Sequence, residues 1–359
     1  MLRSESNPWL HRFACLTALA TLALIGMGGL VTSKGAGMAV PDWPTSYGYN
    51  MFALPFKFWK GGAFYEHTHR LAASLVGLLT VVLAVWLWLK EARGWLRWWG
   101  VIALFSVVLQ GVLGGLRVVW FKDALGIFHA ALAQLFLILV GAIALFTSPW
   151  WTTGAGDSRS TTGAKGVMRA TRPNLGQLFL FTTVLVFLQL VLGATMRHQH
   201  AGLAIPDFPL AYGKLWPAMD ADSVATYNAR RLELAAANSI TANQIALQMA
   251  HRLMALAILI CVSGVVWRAR QSSADLPGRE SAFLLRRLAF AWLALILIQA
   301  SLGAWTVWSN KAADVATAHV LVGAFSLVTG AFGCLICFRR FTRGDRDARC
   351  VRLKGSMYC

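Results

Sequence analysis

Glu66-His67-Thr68-His69-Arg70 sets a carboxylate and two imidazoles at the head of an apolar run that continues to Leu89. Glu66 and His69 stand three apart, so on a helix they share one face, while His67 points elsewhere. Ionisable groups at the mouth of a membrane helix are costly to keep and mark a candidate site. His129, His251 and His319 stand in the same relation to other apolar runs, each near the same end. Two imidazoles on different helices of a four-helix bundle, at one depth, can hold a haem iron by both axial positions. Neutral imidazole is an effective iron ligand. Arg70 and Arg252, next to two of these histidines, carry the charge to pair with haem propionates; a plain interfacial arginine is the other reading.

The elements that must position these groups are membrane helices. The 359 residues are 57% hydrophobic and 13% charged, with a mean hydropathy of +0.57, which indicates an all-α polytopic membrane protein. Eight stretches, near 12–32, 67–89, 98–117, 124–148, 175–196, 247–268, 285–307 and 314–338, approach or exceed the ~20 apolar residues that cross a bilayer. The net charge of +18 does not point to nucleic acid, because the basic residues lie in short loops on alternate sides. The side shared with the N-terminus holds 21 of the 33 Lys and Arg, and the other side 12. Both termini are therefore expected in the cytoplasm, with Glu66 opening on the outer face. The first run follows Arg3 and Arg12, but it is longer than a typical signal-peptide core and lacks a small-residue cleavage site, so it reads as a retained helix. None of Cys15, Cys261, Cys334, Cys337, Cys350 and Cys359 lies in an outer loop. The Cys334-Leu-Ile-Cys337 spacing, without a second pair, reads as packing.

The chain is one unit written twice. Ala36-Gly37-Met38-Ala39-Val40-Pro41-Asp42-Trp43-Pro44 recurs 165 residues later as Ala201-Gly202-Leu203-Ala204-Ile205-Pro206-Asp207-Phe208-Pro209. His69-Arg70-Leu71 returns as His251-Arg252-Leu253, Gln110 and Gly114 as Gln299 and Gly303, and His129 as His319. Each half has four helices, an even number, so the halves insert in the same sense as a parallel repeat. The expected layout is an N-terminal half over 1–148, a cytoplasmic linker over 149–174, a C-terminal half over 175–340 and a basic cytoplasmic tail over 341–359. Asp42 and Asp207, each between a proline and an aromatic residue, read as acceptors for backbone N–H groups in turns.

Four histidines thus survive the repeat test. His67, His198 and His200 do not, and read as surface or loop residues; His11, ahead of the first helix, reads as solvated. Glu66 breaks the symmetry, since its counterpart is Gln248, which keeps shape and hydrogen bonding but not charge. A carboxylate beside a metal site can move protons or stabilise positive charge. Chemistry is therefore expected in the first half and electron holding in the second; a helix N-terminal acid favoured by the dipole is the plainer alternative.

With these residues in place, the chain resembles the haem A synthase family over nearly its whole length. The resemblance rests on eight helices in two halves, Glu66-x-x-His69-Arg70 in the second helix, and His129, His251 and His319 in the fourth, sixth and eighth. It implies an oxidoreductase that converts a methyl group of haem O to a formyl group by successive hydroxylations, the gem-diol losing water. It also implies that His69 and His129 bracket haem O, that Glu66 assists, and that His251 and His319 ligate a resident haem b relaying electrons from a donor. A haem O-producing farnesyltransferase (haem O synthase) and cytochrome oxidase assembly factors are implied partners beside membrane lipid, with a homo-oligomer left open. The implied location is the bacterial inner membrane. Some bacterial members carry a cysteine pair in the first outer loop; residues 33–66 contain none, which places the chain with a cysteine-free branch.

Two other readings use the same residues. A dihaem b-type electron-transfer cytochrome linked to quinol would need the same four histidines, and only the Glu66/Gln248 difference and the resemblance speak against it. A repeat-built transporter would gather its ionisable groups near the bilayer midplane, whereas here they gather at the outer ends.

Overall fold

The protein is described by a computed structural model over residues 7–153, 175–232, 239–271 and 279–355. Helix α1 spans Pro8–Ser33; the Asn7 side chain accepts from the N–H groups of Trp9 and Leu10, and Pro8 opens the first turn, where its missing donor costs nothing. Then follow α2 (Gly61–Lys90), α3 (Gly94–Trp120), α4 (Asp123–Thr147), the short α5 (Pro149–Thr153), α6 (Leu175–His198), α7 (Ala221–Leu232), α8 (Ala242–Gln271), α9 (Arg279–Trp308) and α10 (Ala313–Gly355). Among the described residues, eight of these helices are long and apolar enough to cross a membrane. The expected linker over 149–174 lies largely outside the described residues, as do the last four residues of the tail.

Three features depart from the expected layout. Helix α2 begins at Gly61, so Glu66 and His69 lie in its second and third turns and not at its mouth. Helix α10 continues past 338 to Gly355. The second outer loop contains α7, a short amphipathic helix that hydropathy does not reveal.

Helices α1 to α4 pack in a closed ring, each against the next and α4 back against α1; α6, α8, α9 and α10 do the same. The rings meet through α1 with α10, α4 with α6, and α4 with α10. Because α6 and α10 are the repeat counterparts of α1 and α4, the first two contacts exchange when the halves are swapped. Each ring has its own apolar core, one around Leu83, Leu87, Val140 and Ile143, the other around Phe179, Val262, Trp292 and Leu327. Within lipid, helix association depends on close packing and small residues. Accordingly, a Cβ at Gly333 would fall 2.2 Å from Cε1 of Phe179, whose ring is stacked on Trp292. Gly333→Ala is expected to destabilise the second half by about 1–3 kcal/mol through overpacking, read as a lower midpoint of thermal unfolding in detergent. Cys334 and Cys337 are buried thiols in this core, and the Cys334 sulfur lies 3.6 Å from the Thr183 hydroxyl. This agrees with a packing role.

The loops before α2 and α8, the expected outer loops, close over the rings by equivalent turns. Asp42 accepts from the N–H groups of Tyr47 (2.6 Å) and Gly48 (2.8 Å), and Asp207 from those of Tyr212 (2.7 Å) and Gly213 (2.8 Å). Burial acts to raise the Asp42 carboxyl, but hydrogen bonds from Thr45, Gly48 and Tyr47 outweigh it and hold the group below the ordinary aspartate value. The hydroxyls of Tyr47 and Tyr212 donate back to the carbonyls of Ala39 and Ala204. In the second loop Tyr227 of α7 stacks on Tyr212, ring centroids 3.6 Å apart, and burial there pushes the Tyr212 phenol up to about 12.

Candidate functional site

Each of the four repeated histidines is seated on a glycine of a neighbouring helix. A Cβ at Gly28 of α1 would stand 3.1 Å from Cε1 of His69, and one at Gly114 of α3 3.2 Å from Cε1 of His129. In the second half, Gly193 of α6 stands in the same relation to His251 (3.4 Å) and Gly303 of α9 to His319 (3.2 Å). Gly28 and Gly193 are 165 residues apart and Gly114 and Gly303 are 189 apart, the offsets of the repeat itself. At Gly28, Gly114 and Gly303 a methyl group would crowd the imidazole by a few tenths of an ångström, whereas at Gly193 it would make ordinary contact.

The paired histidines sit on diagonal helices. Neither α2 with α4 nor α8 with α10 packs extensively, since each pair is separated by the other two helices of its ring. His69 and His129, and likewise His251 and His319, lie within electrostatic range of each other. Nδ1 of all four is buried without a hydrogen-bond partner, while each residue as a whole is only half-buried. Glutamines attend three of them. Gln110 donates to the His129 carbonyl (3.0 Å) and Gln189 to that of His251 (2.9 Å), and Nε2 of Gln299 lies 3.4 Å from Nε2 of His319.

Glu66 is 4% exposed and Gln248 2%, and both anchor the outer loop of their half. Oε2 of Glu66 accepts from the Val40 N–H (2.9 Å) as Oε1 of Gln248 accepts from the Ile205 N–H (2.6 Å). Only Glu66 adds an ion pair, 2.7 Å to Nη2 of Arg70. Arg70 also donates to the carbonyls of Val40, Asp42 and Thr45, and Arg252 to those of Asp207 and Leu210. Both arginines therefore hold loop backbone beside their histidine.

The structure corrects the reading of three other histidines. His67 is not a surface residue; it is 1% exposed, 3.5 Å from the Ser46 hydroxyl and edge-on to Trp59, because the outer loop folds over that face of α2. His198 is buried against Gly126 of α4, since α6 meets α4 across the boundary between the rings. His11 is half-buried and bonds the Ala144 carbonyl at 3.0 Å through Nδ1. His200, with a left-handed backbone, is exposed as expected.

Three cations at this level are missed by the repeat test. Arg117, in the last turn of α3, lies within electrostatic range of Glu66, His69 and His129. Arg197 of α6 donates to the Gly29 carbonyl (2.7 Å) and Ser33 hydroxyl (2.8 Å) of α1, stitching one ring to the other. Lys311 lies between α9 and α10. The cue for Arg117 is an arginine closing an apolar run; its counterpart at offset 189 is Thr306, so a search by symmetry passes over it.

Among the described residues no three His, Cys, Asp or Glu side chains converge as a metal site. Imidazoles in twos suit an iron whose other positions are filled by a porphyrin. Orphaned ring nitrogens, glycine seats and separation on diagonal helices fit such a group in each half.

A family model described as "Cytochrome oxidase assembly protein" (COX15-CtaA) matches residues 11–330. Among curated relatives, a protein named "Heme A synthase" from Geobacillus kaustophilus is 27% identical over 339 residues, covering 92% of each chain. One of the same name from an Exiguobacterium species is 25% identical over 90% of each. A third, from a Caulobacter species, is 26% identical over 91% of this chain and 96% of its own.

Proposed function

Because the chain belongs to the COX15-CtaA family of cytochrome oxidase assembly proteins, we propose that it is a membrane oxidoreductase converting haem O to haem A. The observation that carries the assignment of roles is the difference between two otherwise equivalent sites. Both halves seat a histidine pair on glycines, but only the first has a buried carboxylate, Glu66, where the second has Gln248.

In this reading His69 and His129 bind haem O between α2 and α4, and Glu66 handles the protons released as the methyl group is oxidised to formyl. Val40 and Arg70 orient the Glu66 carboxylate through one contact to each oxygen, so it is preorganised before substrate arrives. The outer loop, held to α2 by Glu66 and Arg70, shields that end of the bundle from water. His251 and His319 hold a resident haem b, which when bound supplies single-electron transfer to the first half from a donor. Arg70 and Arg252, beside His69 and His251, would add positive charge next to a bound haem while they hold the loop carbonyls. Residues 1–148 form the substrate half and 175–340 the resident-haem half, in the bacterial inner membrane with both termini cytoplasmic. Haem O synthase and oxidase assembly factors are the partners this role requires. The equal seating of the two pairs favours one competing reading, the dihaem electron-transfer cytochrome.

Pigments extracted from protein purified out of haem O-supplied membranes and identified by mass decide between them. Haem A or hydroxylated haem O beside protohaem is expected. Two protohaems per chain, with no oxidised product despite available haem O, would replace the oxidase by the cytochrome.

A further inference from the structure

We propose that Arg117 and Lys311 are the cations that receive the haem carboxylates, Arg117 in the first half and Lys311 in the second. The inference rests on the two-haem reading above.

The other arginines named near the outer ends have protein partners. Arg70 and Arg252 bond loop carbonyls, Arg197 bonds Gly29 and Ser33, and Arg231 bonds the Leu203 carbonyl. Arg117 and Lys311 are half-buried too, yet neither side chain has a hydrogen-bond or ion-pair partner among the described residues. Arg117 has the carboxylates of Glu66 and Asp123 in electrostatic range but is bonded to neither, and Lys311 faces the like charge of Arg197; a ligand carboxylate bonded to each would offset its desolvation.

They reach corresponding loop glycines from unrelated sequence positions, Arg117 with its guanidinium and Lys311 with its aliphatic stem. A Cβ at Gly37 would stand 3.2 Å from Nη1 and Nη2 of Arg117, and one at Gly202 3.5 Å from Cδ of Lys311. Gly37 and Gly202 are the same position of the repeated loop motif, 165 apart. Each cation thus lies beneath the same loop glycine of its half. One comes from the end of α3 and the other from the turn before α10, where Lys311 has φ +65°. Arg117 is in range of both first-half histidines. Lys311 is in range of Arg197, which is in turn in range of His319. Burial, together with the Arg197 charge, holds the Lys311 ammonium below the ordinary lysine value.

The two residue types imply different tasks. A guanidinium fork grips a carboxylate in one orientation, whereas an ammonium acts as a point charge on a flexible stem. Arg117, also in range of Glu66, is therefore a positioning residue that fixes which edge of the substrate porphyrin faces the acid. Lys311 simply retains a haem that need not be oriented for chemistry at its rim.

The test titrates full-length protein from haem-deficient cells with ferric protohaem and with its dimethyl ester, following the Soret band. Arg117→Gln and Lys311→Gln are each expected to weaken protohaem binding at one of two sites by about 10-fold or more and to leave ester binding unchanged. Equal losses for acid and ester would mean a structural role, and no loss for either would mean no contact; both results overturn the proposal, as would unmodified protein that binds no haem. Protein that shows the expected acid-specific losses but forms no haem A would sink the oxidase reading and leave these two assignments standing.

Discussion

Glu66→Gln is expected to lower haem A formation by about 10²–10⁴-fold, the range for loss of a positioned acid–base group, with resident haem and thermal stability nearly unchanged. The second half supplies the reason for confining the effect to chemistry. Gln248 already occupies the equivalent position and accepts the Ile205 N–H at 2.6 Å, so a glutamine at 66 can take the Val40 N–H in the same way. Arg70 would lose a charged partner but keep the carbonyls of Val40, Asp42 and Thr45, and the loop would stay closed. What the variant cannot do is take up a proton on a carboxylate. The measurement is haem A per protein by mass, beside the absorbance of the resident haem. Unchanged haem A would remove Glu66 from the chemistry and leave it a loop anchor; parallel loss of product and haem would make its role structural.

His319→Ala is expected to weaken haem b binding by more than about 100-fold, since partners that only support a metal ligand already change affinity by 10–100-fold. Product formation should fall with it, because the first half would no longer receive electrons. The loss should be confined to one site. His319 is seated on Gly303 of α9 and attended by Gln299, both in the second ring, while His69 and His129 rest on α1 and α3 of the first. Difference spectra of reduced against oxidised protein measure the b-type haem, and extraction of haem O from the same sample reports the other site. Full haem b content in this variant would show that His319 is not an axial ligand.

Hydropathy, repeat and charge in the sequence alone determined the number of membrane helices and the four histidines that recur at one level. These are local or additive properties. An apolar run of sufficient length becomes a helix in a bilayer because no other conformation satisfies its backbone there. The Glu66/Gln248 difference was legible for the same reason, as a comparison of two positions in one string.

Only the tertiary structure decided which polar groups already have partners. His67 and His69 are two residues apart, yet the first is packed beneath Ser46 and Trp59 and the second lies against Gly28 of α1, because the loop before α2 covers one face of that helix and α1 the other; each keeps one buried ring nitrogen without a partner. Arg70 and Arg252 looked available beside their histidines, but their donors reach loop carbonyls some 25 to 45 residues away. Arg117 and Lys311, unrelated by the repeat offset, come to lie beneath equivalent glycines. Helix α7 is not legible in the sequence, since Tyr227 and Asn228 find their partners, Tyr212 and Ile240, outside it. Partnership is set by where distant segments meet, and neither residue type nor spacing along the chain carries that information.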